Sequence, residues 1–419
     1  MEYKIYNCDN YNIHTIKTDK FKTCSMEIMY SKKLDKDKIT DINMIVDVLA
    51  ASNKKYKTKR EVSIELENLY SASFRGCLSV VGNNHFISFI TDFLNPKYCE
   101  DGFLEEVMDF SIGMIKNPNI TDGKFDETSF NIVKNRLKAD IESLKDNPTR
   151  YAFRRSLINM DKDSITSISR LGDLEHLEKI NTSNLINIYN EIMNDYQCDI
   201  YIIGNIDMDN IVSLIKDKFS HNKYINNNPL YVDNKLCDEV KDVRETGKYE
   251  QDSFVMIYNL DNFSKREKDF VVHLYNIILG SGGLTSKLYK YIREENSLCY
   301  NLSSMYMKYD QLLMIYVGIN EKDKDLCIKL INKAMNEMIN GDFTLEELDN
   351  AKKQVESSIR MSEDTMGGII NNYLFNELDN LPLYDERIKE FKTVTKEEIM
   401  KLASKIKLNT IYLLAGEDK

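Results

Sequence analysis

The amino-acid sequence repeats its own pattern once. Segment 199–207, DIYIIGNID, follows the helical pattern TSNLINIYNEIMND, and segment 410–418, TIYLLAGED, follows TKEEIMKLASKI. Each is an amphipathic helix leading into a short apolar strand. A second correspondence opens at Gly102, GFLEEVMDFSIGMIKNPNITDGKFDETSFNIVKNRLKADI, and returns at Asp323, DKDLCIKLINKAMNEMINGDFTLEELDNAKKQVESSI. In both, one helix passes through a polar turn to a longer second helix. The offsets, about 210 and about 220 residues, lie far beyond a solenoid period, so the expected organisation is a duplicated domain rather than an array.

Length agrees with this. A chain of 419 residues is too long for one ordinary core. The expected division is residues 1–220 and 251–419, with 221–250, HNKYINNNPLYVDNKLCDEVKDVRETGKYE, as the connection. That stretch is rich in Asn, Asp and Lys and lacks apolar periodicity, as an exposed connection should. Within the first half, CLSVVGNNHFISFITDF (77–93) places two β-rich runs around Gly82, Asn83 and Asn84, which predicts a hairpin. Its counterpart, LCYNLSSMYMKYDQLLMIYVGI (298–319), places two strands around a polar turn at Lys308 to Gln311. The expected fold is α+β: two homologous domains, each a mainly antiparallel sheet with helices packed on one face.

The charge balance narrows the partners. With 56 basic and 67 acidic residues the net charge is -11, which repels phosphate backbones and anionic lipid, so neither nucleic acid nor membrane is an expected partner. The run KKYKTKR, 54–60, is short and interrupted and reads as a solvated loop. The eight cysteines form no C-x-x-C pair, which argues for reduced thiols rather than a thiolate zinc site or a redox motif. The first residues, MEYKIYNCDN, carry no basic segment followed by an apolar run, and the expected location is cytoplasmic.

Hydrolytic chemistry has little to build on. His14, His85, His176, His221 and His273 are far apart in sequence, so no helix can present two imidazoles three or four residues apart on one face, as a zinc site needs. G-x-S-x-G is absent as well. Gly280, Ser281, Gly282 and Gly283 lack the order and the Lys of a phosphate-binding loop, and the preceding FVVHLYNIIL reads as helical; a helix-loop-helix junction capped by Thr285 or Ser286 is the plainer expectation. Arg293 and Tyr300 could face a common cleft and offer donors to a peptide carbonyl or an oxyanion. An Arg near a helix end and a Tyr two residues into the next strand also need no function at all.

The stretch SGGLTSKLYKYIREENSLCYNLSS resembles the segment of insulinase-type (pitrilysin-like) metallopeptidases that carries a paired Arg and Tyr with six residues between them. Arg293 and Tyr300 match that spacing. The resemblance extends over nearly the whole chain, through YIIGNIDMDNIVSLIKDKF (201–219) and TLEELDNAKKQVESSI (344–359). It implies a clamshell of two homologous domains and a role for Arg293 and Tyr300 in holding a peptide substrate, with Gly280, Gly282 and Gly283 similar to, though shorter than, a glycine-rich substrate loop. It also exposes a departure. Where active members carry H-x-x-E-H this chain has Met44, Asp47 and Val48, and Val133 falls near the third ligand. The implied protein is a silent subunit with no catalytic residue of its own and no cofactor. It would form a heterodimer with an H-x-x-E-H subunit that holds the zinc. The alternative is a non-enzymatic peptide- or protein-binding scaffold, possibly a homodimer.

Overall fold

The computed structural model describes residues 1–234, 239–260, 262–299 and 301–417. They form two compact units, the first from Met1–Glu142 and Ser169–Pro229, the second from Ser143–Ile168 and Leu230 onward.

The first unit is built on strands β1 (Glu2–Cys8), β2 (Tyr11–Lys17), β3 (Thr23–Lys33), β4 (Ser73–Val81), β5 (Asn84–Leu94) and β8 (Gln197–Gly204), in the order β1-β2-β8-β3-β5-β4, with β6 (Ile120–Thr121) and β7 (Lys124–Phe125) forming a separate small hairpin. Only β2 and β8 run parallel; the other pairings in the large sheet are antiparallel. The expected hairpin is β4–β5, closed at Gly82 and Asn83 with Val81 opposite Asn84. Helices α1 (Ile39–Ala51), α2 (Lys59–Asn68), α3 (Phe103–Lys116), α4 (Glu127–Glu142), α6 (Leu174–Lys179), α7 (Leu185–Asp195) and α8 (Met208–Lys218) complete the unit. Alternate strand residues Cys24, Met26, Ile28 and Tyr30 meet Ile45, Leu49, Val107 and Ile211 in one core, as the period of two in a strand requires.

The second unit uses β9 (Lys241–Gly247), β10 (Asp252–Asn259), β11 (Leu302–Met307), β12 (Leu312–Ile319) and β13 (Lys407–Gly416) in the order β11-β12-β10-β13-β9. Again one pairing, β9 with β13, is parallel and the rest are antiparallel. Reading β2-β8-β3-β5-β4 against β9-β13-β10-β12-β11 gives the same order and the same directions. The duplication expected from sequence is therefore a duplication of topology. The turn at 308–311 joins β11 to β12, as expected.

Helices α9 (Val272–Asn276), α10 (Lys324–Asn340), α11 (Leu345–Ser362), α12 (Met366–Asp379), α13 (Tyr384–Thr393) and α14 (Lys396–Ala403) belong to this second unit. The last turn of α10 closes on Gly341 at φ 79°, a left-handed conformation that glycine adopts at no steric cost. Thr344 and Thr395 open α11 and α14 with reciprocal capping boxes to Glu347 and Glu398.

One helix crosses the sequence division. Helix α5 (Pro148–Met160) lies in the first half of the chain but packs in the second unit, placing Ala152 and Met160 against Val255, Ile257, Met314, Tyr412 and Leu414. The opposite face of the same strands, Phe254, Met256, Leu313, Ile315 and Leu413, packs in the core shared with α9, α10 and α14. Helices on one face were expected, and α5 adds cover to the other. Burial on both faces is why β12 reads LLMIYVGI without polar alternation, every residue of it buried. Arg155 fixes α5 through Glu245, and that bond, aided by Asn159 and Tyr412, holds the Glu245 carboxyl down at about 2.

Candidate functional site

The place to look is α1 and its neighbours in the first unit, because that helix carries three of the four positions singled out by resemblance. Its pattern ITDINMIVDVLAA turns Ile42, Met44, Ile45, Val48 and Leu49 inward, each at most 3 % exposed. Met44 and Val48 thus lie in the hydrophobic core, four residues apart on one face. Asp47 sits off that face and forms an ion pair with Arg136 of α4. Val133, one turn before Arg136, is buried in the same core. Helix α4 presents Phe130, Val133 and Leu137 inward, and Arg136 lies beside that stripe.

A cavity of about 630 Å³ opens between these elements. Asp47, Ala50 and Ala51 of α1 form one wall, Lys57 to Arg60 at the start of α2 another, Phe74, Arg75 and Gly76 of β4 a third, and Asp126 to Arg136 of α4 the last. The local chain explains each wall. Thr58 caps α2 by accepting the Glu61 N–H at 3.2 Å, and the Glu61 carboxylate accepts the Lys57 N–H at 2.6 Å, which directs the first turn of α2. Asp126 does the same for α4, accepting the Ser129 N–H at 2.8 Å. Gly76 lets β4 lie directly on α1: a Cβ there would stand 2.6 Å from Val46 Cγ1 and 3.0 Å from the Val46 carbonyl oxygen.

Strand β4 is the edge of its sheet. None of its residues is fully buried, so one side of its backbone faces no partner strand among the described residues. Asp92 of β5 steadies it by accepting from Arg75 at 2.6 Å, from Ser73 at 3.2 Å and from Ser25 of β3 at 2.7 Å. Behind that group Glu27 is buried, and desolvation pushes its carboxyl up, offset in part by Ser88 and Arg75.

The residues at the expected metal positions do not fit a zinc ion. Zinc takes thiolate, imidazole or carboxylate donors. Here the positions supply a thioether, two alkyl groups and a carboxylate already engaged by a guanidinium, whose charge opposes a cation. Among the described residues no three of His, Cys, Asp and Glu are arranged to hold a metal. No hydrolytic step through a metal follows for this chain.

The second expected site lies in the other unit. The helical run before the glycines is present, and it is wound wide: the Gly282 N–H reaches the Ile277 carbonyl at 3.0 Å, five residues back. Gly280 is buried, and a Cβ on it would meet Ser304 Oγ at 2.6 Å and Leu288 Cδ1 at 2.8 Å. Gly283 is exposed at φ 67° with nothing near its Cβ position. Ser286 begins the next helix, its carbonyl accepting the Lys290 N–H at 3.0 Å while its hydroxyl donates to Gly283 O at 2.7 Å. Arg293 closes the wide turn Tyr289–Glu294, half-buried, with its guanidinium 4.9 Å from the Tyr289 ring. Tyr300 lies outside the described residues. Nearby Cys299 is buried, and desolvation pushes its thiol up against the opposing influence of Arg293.

Sequence reasoning missed Arg136, the basic start of α2 and the open edge of β4. The first two were visible only as charges on helical segments, which ordinarily mark a solvated face.

Two sheets of one topology, with a core-filled metal position on the helix that lies along an edge strand, define a peptidase fold without the donors of a peptidase. The chain is similar in sequence and fold to the insulinase-type, or M16, metallopeptidases, and it lacks their H-x-x-E-H. The sequence profile described as "Peptidase M16 inactive domain" matches residues 179–355. A relative named "probable inactive metalloprotease YmfF" from Bacillus subtilis is 26% identical over 415 residues, covering 97% of this chain and 96% of its own. The same bacterium has an "uncharacterized zinc protease YmxG" that is 26% identical over 144 residues, 33% of this chain and 35% of that protein. Among solved structures, a conserved protein from Enterococcus faecalis superposes with a TM-score of 0.92 at 24% identity, covering 98% of this chain and 97% of its own. A "peptidase M16 inactive domain" from Pseudomonas fluorescens gives 0.80 at 15% identity, covering 100% and 98%. No helix among the described residues is long and apolar enough to cross a membrane.

Proposed function

We propose that this protein is a catalytically silent subunit that holds an extended peptide for an H-x-x-E-H relative, forming a heterodimer with it in the cytoplasm and lending it Arg293 and Tyr300. The observation that carries this reading is the open edge of β4 running along a cavity lined by Asp47 and Val133 of the expected metal positions, with Asp47 held in an ion pair by Arg136. An unpaired strand edge offers backbone donors and acceptors to an extended chain irrespective of its sequence, and a neighbouring cavity can then select a side chain. Zinc belongs to the partner in this scheme. The presence in one bacterium of both a relative named inactive and a relative named zinc protease supports a division of labour.

The test is to co-express the chain with an H-x-x-E-H relative, isolate the complex, and measure peptide cleavage with Arg293→Ala and Tyr300→Phe in this chain. A fall in kcat/KM of about tenfold or more, the size expected for losing one charge-assisted contact to a carbonyl, is the expected result. Unchanged turnover by a genuine complex removes both residues from the role. Should the chain instead sediment as a homodimer that ignores every such relative yet still binds peptide, it is a scaffold and not a protease subunit.

A further inference from the structure

The cavity beside β4 has a charge opposite to that of the chain around it. Its walls carry Lys57, Lys59, Arg60, Arg75 and Arg136 against only Asp47 and Asp126, in a protein with net charge -11. Two of the cations are balanced, Arg136 by Asp47 and Arg75 by Asp92. Lys57 donates to the neutral Asn119 amide oxygen at 3.0 Å rather than to a carboxylate. Lys59 and Arg60 stand exposed on the first turn of α2. The helices α2 and α4 both begin at this cavity, and the positive ends of their dipoles add to the same sign. Charges of one sign lining a concavity with low-dielectric walls concentrate the field and raise the local concentration of the opposite charge. The apolar part of the lining is Phe74, Ala50, Ala51 and Val133.

We infer that this cavity takes an acidic side chain of a peptide lying along β4, with an apolar neighbour resting on Phe74. The inference rests on the peptide-holding reading above and adds to it a substrate class: extended segments bearing Asp or Glu. The reach is right, because Arg75 and Gly76 belong both to the edge strand and to the cavity wall. A peptide paired to that edge would direct alternate side chains to either side of the sheet. The edge supplies binding without sequence preference, and the basic wall supplies the choice.

The experiment uses the full chain and two fluorescein-labelled heptapeptides of alternating valine and threonine, one with a central glutamate and one with glutamine in its place, read by fluorescence anisotropy. The glutamate peptide should bind about tenfold tighter at low salt, as one desolvated charge contact requires. The preference should shrink at 0.5 M salt, where screening is strong. It should also collapse in the Lys59→Gln, Arg60→Gln double variant, whose exposed substitutions leave the fold intact by circular dichroism. Equal binding of both peptides overturns the acidic preference while leaving the peptide-holding reading in place. Binding of neither peptide overturns both. Unchanged preference in the double variant shows that the anion is recognised elsewhere and also overturns the assignment.

Discussion

The two units solve one packing problem in opposite ways. In each, a helix lies along the edge strand of the sheet. In the first unit the strand yields: Gly76 of β4 accommodates Val46 of α1, side chain and carbonyl oxygen together. In the second unit the helix yields: Gly280 accommodates Ser304 of β11, whose hydroxyl donates to the Asn276 side-chain oxygen at 2.6 Å. The helix that yields is also the one wound wide, whereas α1 is regular throughout. What recurs between the halves is a steric relation, and the residues that meet it have changed places. The charged groups differ likewise. The first unit pairs Asp47 with Arg136 at a half-exposed position. In the second unit Asp269, on the corresponding helix, is buried between Lys265 at 2.9 Å and Lys308 at 2.5 Å, and Lys308 also holds Asp379 at 2.6 Å.

Removing a charge from the second unit tests the contrast between the units most severely. Lys308→Met leaves two buried carboxylates, Asp269 and Asp379, with Lys265 as their remaining ion-pair partner and the Tyr231 and Tyr309 hydroxyls still donating to Asp379. Breaking a buried pair on one side costs about 3–5 kcal/mol, and urea unfolding should show a loss of that order. A loss below about 1 kcal/mol, the surface-pair level, would mean that the two units are electrostatically alike after all.

Next in size is the glycine exchange. Gly76→Val and Gly280→Val should each cost about 2–3 kcal/mol by overpacking. The costs should be relieved by different partners: Val46→Ala should rescue Gly76→Val, and Ser304→Gly should rescue Gly280→Val. Rescue is measured as the coupling in a double-mutant cycle. Absence of coupling in either cycle would show that the contact is not what fixes the glycine.

Acid should act on the first unit through His85, which is fully buried on β5 with its Nε2 3.1 Å from the Tyr196 hydroxyl. Burial, helped by nearby Lys32, lowers its pKa to about 4. The unfolded chain takes up this proton near pH 6.5 and the folded chain only near pH 4, so the unfolded state binds more protons in that window. Stability is therefore lost as pH falls from about 6.5 to about 4, by up to about 1.4 kcal/mol per pH unit. His85→Gln, which retains a hydrogen-bonding group for Tyr196, should flatten that part of the pH profile, and a profile of unchanged slope would assign the acid sensitivity to other groups.

The duplication, both hairpins and the paired helices were legible because each is written in local periodicity. The destination of α5 was not, since PTRYAFRRSLINM is an ordinary amphipathic pattern and only contact with Val255 and Met314 decides which sheet it covers. For the site, the missing imidazoles were plain from sequence, and Asp47 was picked out only by the register of the family resemblance. Arg136 was not, because a single Arg within NIVKNRLKAD looks like any solvated helix position until α4 is laid against α1. Gly280 illustrates a residue with more than one sequence reading. A glycine inside a helical pattern costs about 1 kcal/mol against alanine, which signals a reason for it. The close approach of Ser304 is one such reason, and sequence alone could not separate that from a substrate loop.

The smallest effect bears most directly on the silent site. Asp47 and Arg136 are 27% and 53% exposed at their side chains, so solvent screens much of their attraction, and a double-mutant cycle of Asp47→Ala with Arg136→Ala should return a coupling of at most about 1 kcal/mol. The pair therefore contributes little to folding, and its consequence is electrostatic: it neutralises the one carboxylate among the four expected metal positions. Arg136→Ala alone should consequently leave the fold intact and still fail to bind zinc, because Met44, Val48 and Val133 offer no donors. Stoichiometric zinc in the purified Arg136→Ala protein would mean that a donor set exists after all and that the guanidinium had been masking it.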